Sequence, residues 1–520
     1  MKKITLSAVM LLLASANAFA ARYYVDKNAT GTNNGQTWTN AFTTIESAFA
    51  ASIIGDEIWV SNDVYLVNAT LSVPNGVKLY GGFAGTEALL SERDLSANIT
   101  TLNGDIGTTG VPTDNVSVIM RLLNSSSGTR VDGFKFINGY NNSSALDSGG
   151  SAITSDNSSA TVENCQFLIN HAKIRGGAVH VKNSGSPKFL NCEFRSNTVS
   201  NNVQASGGAM FINSGNVTLT DCKFIENSSL QTGGGISAFG GTITMDRTYI
   251  SGNSSVDEGG AIYIGDNASF NATNALIVGN SSAATTGATI YMNTTFNTFT
   301  HSFANCTIAS NKTTASGTTN ACQFNTGTTI SNSIFWDNVA TAQIYTLSTV
   351  VNPVVRYCTV QGGYTGVAAN NILSSNPTFG AAGTGASAPF SHESFNYSIP
   401  ISSTAANSGN NAYTTTSLDI AKNARISQTT VDRGCYESAT LGTTAFAAST
   451  LAFFYNNETK SIDFQNAEMV KGKKLSVYDL SGKLVHSAVI NANTIKFEAT
   501  ANQVYIFKVD GFDAVKQLVK

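Results

Sequence analysis

The sequence predicts an all-β protein: a right-handed parallel β-helix, or solenoid, followed by a small antiparallel β-sandwich. Two observations predict the solenoid. The first is a repeat of about 27 residues, plainest at Asn164-Cys165-Gln166-Phe167-Leu168-Ile169-Asn170, Asn191-Cys192-Glu193-Phe194-Arg195-Ser196-Asn197 and Asp221-Cys222-Lys223-Phe224-Ile225-Glu226-Asn227. The second is a glycine pair and a short apolar strand after each: Gly176-Gly177-Ala178-Val179, Gly207-Gly208-Ala209-Met210 and Gly233-Gly234-Gly235-Ile236. Units made only of strand and turn signals bury no core alone, so they must stack. The sandwich is predicted by the loss of the repeat after about Ala439, where short alternating strands take over.

In chain order, residues 1–20 read as a signal peptide. Lys2 and Lys3 form a basic start, Ala8 to Leu13 an apolar stretch, and Ala18-Phe19-Ala20 a small-x-small cleavage site. The apolar run is too short for a bilayer span. The mature chain is therefore expected to be exported, with no transmembrane segment. Only 12% of residues are charged and the formal net charge is −3. That composition provides no basic footprint for nucleic acid and no polybasic membrane patch.

Residues 21–438 are expected to form the β-helix. Trp38, Ala41, Phe42, Ile45, Ala48 and Phe49 fall at helical spacing and predict a short amphipathic helix capping the open first coil. Gly55-Asp56-Glu57-Ile58-Trp59-Val60 opens the first coil. Within each repeat, Cys165 and Phe167 alternate with Gln166, as Cys192 and Phe194 do with Glu193, which is the period of a half-buried strand. The Asn after each Phe strand tolerates left-handed backbone and closes the strand. Stacked at Asn170, Asn197, Asn227, Asn253, Asn280, Asn311 and Asn338, these residues predict an inward ladder, each amide bonding the next. The glycine pair then turns the chain where a Cβ would clash.

Seven Cys in an exported chain suggest disulfides. Their placement argues otherwise. Cys165, Cys192, Cys222, Cys306 and Cys358 share one slot, filled between them by Thr248, Ala275 and Ser333. A slot open to Cys, Ala, Ser and Thr is a small core slot, and stacked parallel Cβ vectors suit a disulfide poorly.

These repeats resemble those of polymorphic outer-membrane proteins, whose units carry a Gly-Gly-Ala-Ile strand and a Phe-x-x-Asn strand. The resemblance covers about residues 130–340 and implies a fold, not a chemistry. Gly76 to Phe83 and Ser91-Glu92-Arg93-Asp94 look like the first coils of exported bacterial β-helix proteins. Ser375-Asn376-Pro377-Thr378-Phe379, Phe395-Asn396-Tyr397-Ser398-Ile399 and Val431-Asp432-Arg433-Gly434-Cys435-Tyr436-Glu437 resemble their closing segment, with Arg433 and Cys435 where an apolar residue and Ala are usual. That segment reads as a C-terminal cap.

Residues 439–450 read as a linker and 451–520 as the sandwich, with strands at Ser461 to Phe464, Lys473 to Asp479, Lys483 to Val489, Thr494 to Glu498, Val504 to Val509 and Ala514 to Val519. Val477-Tyr478-Asp479-Leu480-Ser481-Gly482-Lys483-Leu484-Val485, Val504-Tyr505-Ile506-Phe507-Lys508-Val509 and Lys516-Gln517-Leu518-Val519-Lys520 resemble the C-terminal sorting domain of type IX secretion substrates. Tyr455-Asn456-Asn457 replaces the usual Pro-Asn-Pro, and Gln503 the usual Gly. The resemblance implies docking on outer-membrane secretion machinery and placement on the cell surface, or release, in a Gram-negative bacterium.

Chemistry is sparsely signalled. The outward slot between Cys and Phe holds Gln166, Glu193, Lys223, Tyr249 and Leu276, where Glu193 and Lys223 read as a surface ion pair. His171, Lys173, Arg175, His180 and Lys182 could bind an acidic glycan or supply a lyase base, but with no acidic partners in the same stretch they read as a solvated basic turn. Neither group predicts a metal site, and no cofactor is expected. After the glycine pairs, one outward column holds His180, Phe211, Ser237, Tyr263 and Tyr291, an aromatic stripe suited to sugar rings or a protein partner unless a loop or the tail domain covers it. The expected function is a non-enzymatic adhesin or glycan-binding shaft, meeting glycans or a host or cell-surface protein. The alternative is a polysaccharide lyase or glycoside hydrolase on the same scaffold, and a purely structural spacer stays open.

Overall fold

The computed structural model describes residues 20–519 apart from 202, 294–298, 318, 325–326, 347–352, 367–368, 385–393, 439–452, 465–469 and 511–514. The leader through residue 19 and the linker 439–450 lie outside the described residues. The chain divides into two compact units, Met1–Ala439 and Thr440–Lys520.

The first unit is a parallel β-solenoid. Its strands fall into three sheets. One sheet of eleven strands stacks Gln166–Leu168, Glu193–Arg195 and Lys223–Ile225 with their equivalents. One of seven stacks two-residue strands such as His171–Ala172. The largest carries two strand positions per coil, which merge where Ile236–Asp246 and Ile262–Thr273 run through both. The register is one repeat per coil: Phe167 pairs with Phe136 and Phe194, and Phe194 with Phe224. The alternation read from the sequence holds, so these rings face inward. Phe167, Phe194 and Phe224 are fully buried and stacked, with centroids 4.6 and 4.5 Å apart. Each such contact contributes about 1 kcal/mol beyond area burial.

The asparagine ladder is present and buried. Asn170 Nδ2 donates to Asn197 Oδ1 at 3.0 Å, Asn197 to Asn227 at 2.9 Å, and so on to Asn311 and Asn338 at 2.7 Å. The backbone role differs from expectation. The left-handed residue is the one before the Asn: Ile169, Ser196, Glu226, Ser310 and Asp337 have φ of 50–57°. That residue makes the bend, and the Asn amide then satisfies the carbonyls the bend exposes, as Asn197 Nδ2 does for Phe167 O at 2.8 Å. At the next corner a Cβ on Gly176 (φ 63°) would lie 2.2 Å from Val179 O, and one on Gly177 2.0 Å from Gly208 O. Both glycines are therefore required by space as well as conformation.

All seven cysteines are free and buried. The shared slot has a shared bond. Cys192 Sγ donates to Leu190 O at 3.4 Å, Thr248 Oγ1 to Asp246 O at 3.2 Å and Ser333 Oγ to Ser331 O at 2.8 Å. Any small donor meets the carbonyl two residues earlier, which is why Cys, Ser and Thr interchange.

The capping helix is shorter than its periodicity suggests. It spans Ile45–Ala51, is N-capped by Thr44, and turns Ile45, Ala48 and Phe49 to the core. Trp38, Ala41 and Phe42 precede it in irregular chain. There Asn40 Oδ1 accepts from Thr32 N and Asn33 Oδ1 from Thr43 N, side-chain bonds that compete with helix.

The second unit has two antiparallel sheets around one core. Phe453–Asn456, Ser461–Phe464 and Thr494–Lys496 form one, and Leu484–Val489, Lys474–Tyr478, Gln503–Val509 and Val515–Val519 the other. The strand Phe453–Asn456 was not legible in the sequence. Phe464, Val477 and Phe507 are among the residues of the shared core.

Candidate functional site

The stripe residues do form one column. His180 pairs in register with Phe211, Phe211 with Ser237, Ser237 with Tyr263, and Tyr263 with Tyr291. The column is not exposed along its length. His180 and Phe211 are fully buried, although both point away from the core. His180 packs edge-on to Phe211 with centroids 5.2 Å apart, and the Arg175 guanidinium lies 4.6 Å over the Phe211 ring. Lys182 Nζ reaches back to Asp147 O at 3.1 Å, tying down the loop beside them. Burial moves the His180 pKa down to about 3, helped by Lys182 and Arg175. It is therefore a neutral filler, and the expectation of an accessible histidine is corrected.

The half-buried part of the column is aromatic. Phe239, at the bulge after Ala238, inserts its ring between Phe211 and Tyr263, with centroids 5.5 and 5.4 Å away. Tyr263 and Tyr291 stack at 5.4 Å with 13° between planes. Phe239, Tyr263 and Tyr291 are half-buried and form a three-ring file. The sequence comparison missed Phe239, because only the bulge brings it into line.

The basic turn is dispersed by its partners. His171 stacks on Tyr140 at 4.6 Å and shares a 2.8 Å bond between Nδ1 and Thr198 Oγ1. Lys173 donates to Ser144 Oγ, and Lys182 pairs with Asp156 at 3.6 Å. These groups converge on no common point.

A groove of about 350 Å³ lies on the outer face of the eleven-stranded sheet. Lys135, Gln166, Glu193 and Lys223 form its floor, one per coil, and Leu95 and Ile99 its lip. Glu193 is held by Arg195 Nε at 2.7 Å, a bond within its own strand that the sequence reading did not foresee. Beyond the groove, the segment before Glu437 covers the same face, and Leu276, Tyr397, Ile420 and Cys435 share one buried cluster there. Its Lys422 approaches Asp221, in the groove lining, to 3.4 Å.

Asp221 also takes Arg247 Nε at 2.7 Å, and Arg247 bridges to Asp246. Two carboxylates on adjacent coils thus share one guanidinium, an arrangement the sequence reading did not expect. Burial, with Asp221 adding to it, raises the pKa of half-buried Asp246 despite its bonds to Asn274 and Arg247. At the C-terminal cap, buried Arg433 donates to Cys358 O at 2.6 Å and Asn371 Oδ1 at 2.8 Å. That is a structural role. No group of three or more His, Cys, Asp or Glu suited to a metal occurs among the described residues.

A family model described as the right-handed β-helix region matches residues 119–304. No curated protein matches the chain. Among solved structures, a rhamnogalacturonan lyase is 12% identical, with 65% of this chain and 87% of that one covered and a TM-score of 0.46. A lacto-N-biosidase from Eubacterium ramulus is 12% identical, with 68% and 65% covered and a TM-score of 0.32. A tailspike protein from Acinetobacter baumannii bacteriophage Fri1, a capsular polysaccharide depolymerase, is 11% identical, with 95% and 77% covered and a TM-score of 0.29.

Proposed function

We propose that this right-handed β-helix is an exported, cell-surface glycan-binding shaft that acts by adhesion. The observation that carries the reading is the file Phe239–Tyr263–Tyr291, three half-buried rings at 5.4 Å spacing. Adjacent ring edges, held in one file on a rigid sheet, offer an apolar contact to sugars with little ordering cost. The route is read from the tail: a leader for the first membrane, then a type IX sorting domain docking on outer-membrane machinery.

One observation favours the enzyme reading. Asp246, its pKa raised by burial and by neighbouring Asp221, belongs to the kind of carboxylate pair that glycosidic chemistry uses. What supports binding instead is that Arg247 engages both carboxylates, leaving neither disposed toward a substrate proton. The test is incubation of the mature protein with acidic and neutral polysaccharides, with and without Ca²⁺, scoring binding and new reducing or unsaturated ends. Binding without turnover, lost in Tyr263→Ala/Tyr291→Ala, is the expected result. Turnover that vanishes in Asp246→Asn would replace it with the enzyme reading.

A further inference from the structure

The groove on the eleven-stranded sheet is a second site, separate from the aromatic file, and its charges specify a ligand. We propose that it binds an oligosaccharide of otherwise neutral sugars carrying a single carboxylate, with that carboxylate on Lys135. This deepens the glycan-binding reading and rests on it.

Three observations lead there. The first is spacing. Lys135, Gln166, Glu193 and Lys223 follow one another in register, one per coil. Coils are about 4.8 Å apart, close to the advance of one sugar along an extended chain. Successive floor side chains therefore meet successive sugars. The second is the mixture of surfaces. The floor is polar, while Leu95 and Ile99 at the lip are exposed apolar residues. A pyranose presents the same pairing of hydroxyl edge and apolar face.

The third is charge. Glu193 is engaged by Arg195 and neighboured in register by the other floor cation, Lys223, and Asp221 is engaged by Arg247 and Lys422. Lys135 has no anionic partner among the described residues, and neighbouring Gln166 is exposed with its amide free to donate and accept. An anion is thus favoured at the Lys135 end. Two coils along, the Glu193 carboxylate is already answered by Arg195 and has Lys223 beside it in register, so that end offers no second unanswered cation. A polyanion finds no further cation for its other carboxylates; a neutral chain leaves Lys135 unanswered.

The experiment is calorimetric titration of the full mature protein with three probes. These are galactosyl-lactose, which is neutral, sialyl-lactose, with one carboxylate, and tri-galacturonate, with three. Sialyl-lactose is expected to bind about tenfold more tightly than either of the others, the scale of one charge-assisted hydrogen bond. Lys135→Gln should abolish that preference and its salt dependence, and Lys135→Arg should retain both. Equal affinity for the neutral probe, strongest binding of tri-galacturonate, or an unaffected Lys135→Gln would each overturn the proposal. If Lys135→Gln behaves as the parent while Tyr263→Ala/Tyr291→Ala loses binding, the groove proposal fails and the aromatic file stands. If no probe binds, both fail.

Discussion

Asn227 donates through Nδ2 to Asn253 Oδ1 at 2.8 Å, and the same oxygen accepts the Asn227 backbone N–H at 2.9 Å. One side chain thus satisfies a main-chain group and a neighbouring amide, and the pattern repeats from coil to coil. The ladder is what lets a corner of the solenoid be both irregular and buried.

Asn227→Ala should therefore be costly. It removes the acceptor of the buried Asn197 backbone N–H, one of the two bonds of the Asn197 amide, and the side-chain donor to the Phe194 carbonyl. A loss of about 3 kcal/mol is expected. Asn191→Gly, which removes a more exposed bond to Asn164 Oδ1 at a left-handed position (φ 50°) that glycine tolerates, should cost under about 1 kcal/mol. Urea midpoints of the two variants provide the comparison, and equal shifts would contradict the ladder's role.

Stability should fall on acidification through two buried histidines. Burial holds His180 at about 3 and His301 at about 4. Their unfolded values lie near 6.5. The unfolded chain then binds protons that the fold refuses. Stability is full above about pH 6.5 and declines as pH falls to between 3 and 4, by up to about 1.4 kcal/mol per pH unit for each histidine. Thermal midpoints of His180→Leu should show a shallower decline over that window than the parent.

The thiol column makes a chemical prediction. Burial, with the Cys165 and Cys222 thiols adjoining, pushes the Cys192 thiol well up, so it resists ionisation. Native protein should react negligibly with a thiol reagent. Denatured without reductant, it should release all seven thiols. A deficit of two would mean a disulfide. Cys192→Ser should fold, because Ser333 makes the equivalent bond.

Removing Lys516 to Lys520 tests the export route. It takes most of the edge strand Val515–Val519 from its partner Gln503–Val509. The shaft has its own core, so the truncated protein should accumulate folded in the periplasm. Surface delivery at the parental level would show that the tail is not a sorting signal.

The sequence by itself determined the solenoid, its register, the inward phenylalanine stack, the amide ladder and the small core slot. Those features follow from a period-2 alternation and a recurring corner, both local and repeated once per coil. Only the tertiary structure decided which outward positions stay open. His180 and Tyr263 occupy equivalent slots, yet one is sealed beneath neighbouring chain and the other meets solvent. The bulge that admits Phe239, the lip at Leu95 and Ile99, and the meeting of Lys422 with Asp221 likewise join residues far apart in sequence. The repeat sets the direction of each side chain, but exposure depends on non-repeating segments packed across the coils, and no periodicity encodes where those come to rest.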